Sequence, residues 1–367
     1  MILGQVLITG GAGFIGTHLA QALASMPDVE GIWILDNLHP QVHGDQAATP
    51  ILSERVKFVL GDIRDAELLD RVLYDAKPEI IFHLAAETGT GQSYGEIVRY
   101  CDVNVTGTAQ LLEAIRRSET PLKKLILSGS RAVYGEGAYR DADNREYAGL
   151  PRTQERMATG DFSVPLPVTA KLPAVPAPSH AGLGPAPASI YASTKLMQEL
   201  LIRQAAEGTG WQAIILRFQN VYGPGQSLRN PYTGVLSIFG RQLLQGETLS
   251  IYEDGLISRD FIYVEDVVSA LVLAAHSDLV AGAILDIGTG APVTILEVAR
   301  MLASYLGRDS DVLKITGEFR VGDIRHSWAD IRAASTALGW RPKIDVSSGL
   351  CRLAEWIKTE FERKAKG

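Results

Sequence analysis

No stretch of this sequence holds the ~18 uninterrupted apolar residues that a membrane-spanning helix needs; the longest apolar runs are of strand length. A basic leader with a small-residue cleavage site is also missing, because Met1 leads at once into Gln5-Val6-Leu7-Ile8. The expectation is a cytoplasmic protein rather than a secreted one. Cysteine is scarce. Cys101 and Cys351 stand far apart without C-x-x-C or Cys/His spacing, which argues against a disulfide framework or a structural zinc site and leaves two buried thiols as the expectation. No metal is implied. Positive charge is in deficit: 35 Lys+Arg against 42 Asp+Glu give a net charge of -7, with no basic run to displace counterions from nucleic acid. Neither nucleic acid nor a membrane is therefore an expected partner. Core-forming residues are not lacking, since 46% of the 367 residues are apolar and 21% charged, which excludes wholesale disorder and suffices for two to three compact units.

Through the first half, short apolar runs alternate with helix-period segments. Val6-Leu7-Ile8, Ile32-Trp33-Ile34-Leu35, Val56-Lys57-Phe58-Val59, Ile80-Ile81-Phe82 and Leu125-Ile126-Leu127 read as strands, and 14–25, 66–75 and 103–117 as helices. Continuous apolar strands separated by helices imply a parallel sheet covered on both faces, a doubly wound α/β fold. Eight of the 17 prolines fall between residues 135 and 191, where no period is sustained. That stretch, at about 136–189, reads as a long loop beside the active site, because a helix (190–206) and a strand (213–218) resume after it. Beyond Gly223-Pro224-Gly225 the pattern becomes mixed, with helices expected at 235–245, 264–276, 294–306, 331–338 and 346–364 and strands near 249–251 and 283–287.

The strongest chemical signal is Thr9-Gly10-Gly11-Ala12-Gly13-Phe14-Ile15-Gly16, directly after the first strand and opening a helix. Gly10 permits a tight turn, Gly13 lets a pyrophosphate approach the backbone, and Gly16 lets helix and strand pack closely. The helix N-terminus adds N–H donors and partial positive charge for phosphates. Asp36, ending the second strand, would accept from adenosine ribose hydroxyls and repel a 2′-phosphate, favouring NAD over NADP; alone it would be an ordinary strand-end carboxylate. This is a Rossmann fingerprint. The expected division is therefore an NAD-binding Rossmann domain over 1–223, carrying the Pro-rich loop, and a smaller mixed α/β substrate lobe over 224–367, with segments near 259–288 returning to the first domain.

A second signal is Tyr191-Ala192-Ser193-Thr194-Lys195, where spacing puts phenol and ammonium on one helix face. A free tyrosine is a poor base at neutral pH, and a neighbouring ammonium stabilises its phenolate. Alone, Y-x-x-x-K usually means a surface helix. The third is Ser128-Gly129-Ser130-Arg131, at the end of a strand where such sheets place ligands; without Tyr191 and Lys195 it would be a plain Ser-Gly turn.

These motifs, with Leu35-Asp36-Asn37, Gly61-Asp62-Ile63-Arg64-Asp65, His83-Leu84-Ala85-Ala86, Asn104-Val105-Thr106-Gly107-Thr108 and the run from Arg259 to Asp266, resemble the extended short-chain dehydrogenase/reductase superfamily in its NAD-dependent nucleotide-sugar epimerase/dehydratase branch. The resemblance covers nearly the whole chain. It implies that Ser130, Tyr191 and Lys195 form a catalytic trio. It also implies that NAD lies along Gly10, Gly13, Phe14, Ile15, Gly16, Asp36, Asn37, Asp62, Ile63, Leu84, Ala85, Ala86 and Asn104, with Tyr191 and Lys195 at its reacting end. Asn220, Arg259 and Arg320 would hold the nucleotide diphosphate, arginine suiting phosphate through its fixed fork of donors. For the two arginines a surface ion pair is the bland alternative.

Sugar 4,6-dehydratases of this branch carry an Asp-Glu pair directly after the Ser/Thr, where this sequence has Arg131 and Ala132. Dehydration is thus disfavoured and 4-epimerisation, which needs only the trio and a tightly held NAD, is expected on a dTDP- or UDP-linked hexose or 6-deoxyhexose. A one-way 4-ketosugar reductase and a non-catalytic NAD sensor stay as alternatives. Residues 86–93 and 230–235 further resemble dTDP-deoxyhexose 4-epimerases, which would turn Thr88 toward the hexose, with Glu87, Gln92 and Asn230 shaping loops. Family members commonly pair through the helices after Asn104 and from Tyr191, so a homodimer is expected.

Overall fold

The structure, a computed structural model, describes residues 3–44, 54–230 and 234–365. Seven parallel strands make its central sheet: β1 (Gly4–Thr9), β2 (Val29–Asp36), β3 (Val56–Leu60), β4 (Ile80–His83), β5 (Lys124–Ser130), β6 (Gln212–Phe218) and β7 (Ala283–Ile287), in the order β7-β6-β5-β4-β1-β2-β3. Val6, Leu7 and Ile8 are wholly buried, yet Val6 and Ile8 belong to one apolar cluster and Leu7 to another. Alternate residues thus enter separate cores on the two faces, each fully buried aliphatic side chain contributing about 1.5–3 kcal/mol. Helix α1 (Phe14–Ala24) covers one face; α2 (Ala66–Ala76), α3 (Gly107–Arg117) and α4 (Ile190–Ala206) cover the other. The strand order reverses between β1 and β4, which opens a crevice at their carboxyl ends.

The helix expected to start at residue 103 begins earlier. Ile97–Cys101 is α-helical, Asp102–Thr106 makes a π turn, and α3 follows without a break. The extra residue of the π turn shifts the apolar stripe, and Ile97 and Val98 point outward at 50% and 72% exposure, so no single period spans the whole helix.

The Pro-rich segment is not structureless. Ala138–Arg140 is the centre of an antiparallel three-stranded sheet flanked by Glu146–Ala148 and Val175–Ala177, and Gln154–Ala158 is helical. The Asp141 carboxylate gathers the segment by accepting from the N–H groups of Asp143, Arg145 and Lys171. Pro176 lies opposite Tyr139 on an edge strand, where a missing N–H is tolerated. Strands of three residues are too short to show a period.

In the C-terminal part, α5 (Val235–Leu244), α7 (Ile295–Tyr305) and α8 (Val346–Ala365) enclose a parallel pair, Leu249–Ile251 with Leu313–Ile315, around Phe239, Leu243, Ile251 and Leu302. Between them in sequence, α6 (Val264–His276) packs on the α1 face and β7 joins the main sheet. Both cysteines are unpaired but only half-buried, not core thiols: Cys101 ends the short helix Ile97–Cys101 and Cys351 lies in α8. No helix among the described residues is long and apolar enough to cross a membrane.

Candidate active site

The turn from β1 into α1 is closed by backbone contact. Gly10 adopts φ +70°, and a Cβ there would lie 2.6 Å from the Ala85 nitrogen; a Cβ on Gly16 would lie 2.5 Å from the Gly10 oxygen. Gly13 caps α1 with no side-chain hydrogen bond, and the first turn holds no acid, so its N–H groups face the crevice as an anion site. Asp36 braces this turn: its carboxylate accepts from Ala12 N at 3.0 Å and Leu38 N at 2.9 Å. Two oxygens with about four acceptor positions leave room for ribose hydroxyls. Next to it Asn37 donates to Asp62, which Arg64 grips through both oxygens. That guanidinium holds the Asp62 pKa down at about 2. Ile63 is buried against Gly107, and Leu84, Ala85 and Ala86 run on from β4 past the glycine turn. The cradle, the free helix terminus and the acid at the end of β2 fit a dinucleotide.

Ser130 ends β5, and α4 starts at Ser189, whose hydroxyl accepts from Ala192 N. Tyr191 stands in the first turn of that helix and Lys195 one turn further on. Burial pushes the Tyr191 phenol above its ordinary pKa, while the Ser130 hydroxyl and the Arg131 charge pull it back. The Lys195 ammonium donates to Gln198 Oε1 at 2.6 Å, and burial brings its pKa down to about 8 against the opposing pull of Glu199.

Behind Lys195 runs a buried relay. Gln198 Nε2 donates to Thr108 Oγ1 at 2.8 Å, and Thr108 Oγ1 also meets His83 Nε2 at 2.9 Å and donates to the Asn104 carbonyl. His83 Nδ1 lies 2.7 Å from Thr9 Oγ1. Because the Thr108 proton goes to Asn104, its oxygen accepts from His83, which places the imidazole proton on Nε2. Burial and the nearby Lys195 charge drive the His83 pKa down to about 3, so the ring is neutral.

The other wall of the crevice is cationic. Arg131 Nε donates to Asn220 Oδ1 at 3.1 Å. Arg259, 4% exposed, points its guanidinium inward: Nη1 donates to the carbonyls of Ser258 and Arg325, and Nη2 to Asp323 Oδ1 and the Ile324 carbonyl. Arg320 is exposed and lies over the Tyr252 ring, 4.9 Å from its centroid. Below them Arg152 is clamped between Glu136 and Glu253 at 2.9 and 2.7 Å, and Arg325 bridges Glu253 to Asp254. This ion cluster ties the Pro-rich insertion to the C-terminal part.

Comparison with known proteins places this geometry. A family profile described as GDP-mannose 4,6 dehydratase matches residues 7–147, and one described as the NAD dependent epimerase/dehydratase family matches 170–288. The chain is 40% identical to a dTDP-L-rhamnose 4-epimerase of Burkholderia thailandensis over 362 residues, 98% of this chain and 96% of that one. It belongs to the NAD-dependent epimerase/dehydratase family. Among solved structures of the family, the UDP-glucose 4-epimerase of Thermotoga maritima with UDP-glucose superposes with a TM-score of 0.78 at 30% identity, covering 97% of this chain and 99% of that one. The UDP-glucuronic acid 4-epimerase of Bacillus cereus, in complex with UDP-glucuronic acid and NAD, gives 0.77 at 27% identity, covering 97% and 99%. The cofactor of this epimerase/dehydratase family is NAD.

Within this family member the structure brings Ser130, Tyr191, Arg131 and Asn220 to the crevice, with Lys195 one turn away. Asn104 is used by the protein itself: its side chain bonds the Glu87 N–H and carbonyl and donates to Thr194. Thr88 offers its carbonyl to the Tyr100 hydroxyl; Glu87 pairs with Arg99, and Gln92 with Gln41 and Glu96. Asn230 accepts from Gln41, while Pro231, Tyr232 and Thr233 of the same string lie outside the described residues. Sequence reading missed the relay through Thr9, Thr108 and Gln198. Gln198 had a signal, three residues after Lys195 and so on the same face; the threonines were visible only as letters of motifs.

Proposed function

We propose that this protein inverts carbon 4 of a dTDP- or UDP-linked hexose or 6-deoxyhexose through a transient 4-keto sugar, as an NAD-dependent nucleotide-sugar 4-epimerase. The observation that carries this reading is a proton-transfer centre with no carboxylate directly after Ser130. Tyr191, Ser130 and Lys195 stand at the crevice edge, and Arg131 and Ala132 follow Ser130 where dehydration would require a carboxylate pair. The glycine turn (Gly10, Gly13, Phe14, Ile15, Gly16) would hold the NAD pyrophosphate, Asp36 and Asn37 its ribose, Asp62 and Ile63 its adenine, and Leu84, Ala85 and Ala86 the path between. Bound there, NAD supplies a reversible hydride acceptor.

Tyr191 takes the proton from the 4-hydroxyl and later returns it. Ser130 bonds the same oxygen; its hydroxyl and the Arg131 charge offset the burial that disfavours the phenolate, and the Lys195 ammonium one turn away would add to that stabilisation. Asn220, Arg320 and the remaining donor of Arg259 would anchor the nucleotide diphosphate, and Thr88 would face the hexose, leaving the sugar free to present either face. Residues 1–223 would act as the cofactor domain and 224–367 as the substrate lobe. Two copies would pair through α3 and α4 in the cytoplasm.

The test is NMR of the purified protein with NAD and either dTDP-L-rhamnose or UDP-glucose, without added reductant. The expected result is slow approach to a mixture of carbon-4 epimers, lowered about 10²–10⁴-fold by Tyr191→Phe with NAD content unchanged. Consumption of a 4-ketosugar together with reduced cofactor, and no epimer mixture, would replace this reading with a reductase.

A further inference from the structure

The cations of the crevice differ in how many donors they have left. Arg259 has four of its five N–H donors on Asp323 and backbone carbonyls, and Arg152 and Arg325 are held by carboxylates. Arg131 is different. Its Nε bonds Asn220, it is only partly buried, and among the described residues neither of its Nη groups has a hydrogen-bond or ion-pair partner. Its surroundings explain the need for one. The charged and titratable groups facing it are Arg259, Asp323, Tyr191 and Glu136. Asp323 is already bonded by Arg259, and Glu136 by Arg152. Burial and the Arg259 charge push the Arg131 pKa down to about 9, as befits a cation short of counter-charge, though it stays protonated at neutral pH.

We propose that Arg131 binds the hexose itself, its two open Nη groups donating to hydroxyl oxygens of the sugar on whichever face it presents. This rests on the nucleotide-sugar reading of the same site. Position argues for the hexose rather than the nucleotide. Arg131 follows Ser130 directly and faces Tyr191, the two groups that meet the reacting hydroxyl, and Asn220 fixes the stem of its guanidinium so that the fork is presented to the crevice. Where a dehydratase would carry an acid, this chain carries a donor-only group, which binds sugar oxygens but cannot move a proton to them. Arg131 is thereby a determinant of which sugars are accepted.

Calorimetric titration of the protein supplied with NAD decides it, using UDP and dTDP alone and then UDP-glucose and dTDP-L-rhamnose. Arg131→Gln should leave the affinity for the nucleoside diphosphates within about twofold and weaken the nucleotide sugar that the wild type binds by about tenfold or more. Arg131→Lys, a point charge in place of a fork, should recover only part of that loss and serves alone if the Gln variant does not fold. Nucleotide-sugar affinity unchanged in both variants overturns the proposal. So does an equal loss for nucleoside diphosphate and nucleotide sugar, which would place the contact on the phosphates or in the scaffold. Wild-type protein that binds none of the four ligands overturns the nucleotide-sugar reading instead, and this inference falls with it.

Discussion

The polar groups behind Lys195 and those beneath the Pro-rich insertion are made of opposite materials, and all their side chains but that of Asp254, at the rim of the second group, are buried. Behind the lysine, Thr9, His83, Thr108 and Gln198 pass hydrogen bonds between neutral groups. Beneath the insertion, Glu136, Arg152, Glu253, Arg325 and Asp254 alternate in charge. A neutral relay tolerates the loss of one member at the price of one unsatisfied group, whereas an ion cluster that loses a cation from between two buried carboxylates is strongly destabilised. The first arrangement suits a centre where a proton must move. The second suits a clamp holding an added segment in place.

Four changes would break or sharpen this contrast. The largest effect is expected from Arg152→Met, which leaves Glu136 and Glu253 without the cation between them. Denaturant unfolding should show a loss of about 3–5 kcal/mol, and adding Glu136→Gln should restore part of it; unfolding at the wild-type denaturant concentration would mean the clamp does not hold the insertion. Next is acid. The His83 pKa is near 3 in the folded chain against an ordinary 6.5, so below about pH 6.5 the unfolded chain binds a proton that the folded chain refuses. Stability should therefore fall by a few kcal/mol as pH drops from about 6.5 toward 3, and His83→Asn should flatten that part of a melting-temperature profile. Gln198→Leu removes the acceptor of Lys195 and a donor to Thr108, for about 1–3 kcal/mol in the same unfolding assay. The smallest change is Arg64→Ala. Its pair with Asp62 is partly exposed, 45% and 26% for the two side chains, so the loss should stay under about 1 kcal/mol. NMR titration should nonetheless show the Asp62 pKa rising from about 2 toward the usual carboxylate range. Above that range the pair adds its small stability, which disappears as pH falls through the folded pKa.

The same contrast explains what could be read from residues alone. The main sheet was legible because Val6, Leu7 and Ile8 are buried on alternate faces, which writes a continuous apolar run into the chain. The Tyr191–Lys195 spacing is likewise local, since one helical turn is enough to set it. The insertion was opaque because its sheet pairs Arg140 with Val175 through strands of three residues, and its clamp joins Arg152 to Glu253. The relay was opaque for a similar reason: Thr9 and His83 are 74 positions apart, and a hydrogen bond between distant residues imposes no period. Arg259 was expected at the diphosphate, and the partners at 323–325 that take most of its donors leave no mark near it in sequence.

The π turn at Asp102–Thr106 amounts to one surplus residue wound into a helix. Each residue turns a helix by about 100°, so this single insertion sets the azimuth of everything upstream relative to α3. On the upstream side Arg99 reaches Glu87, and the Tyr100 hydroxyl reaches the carbonyls of Thr88 and Gly89. Downstream, Thr108 reaches His83. The loop beside the crevice and the relay behind Lys195 are thus two hands of one dial, and deleting one residue between 102 and 106 would rotate the first away while leaving the second where it is.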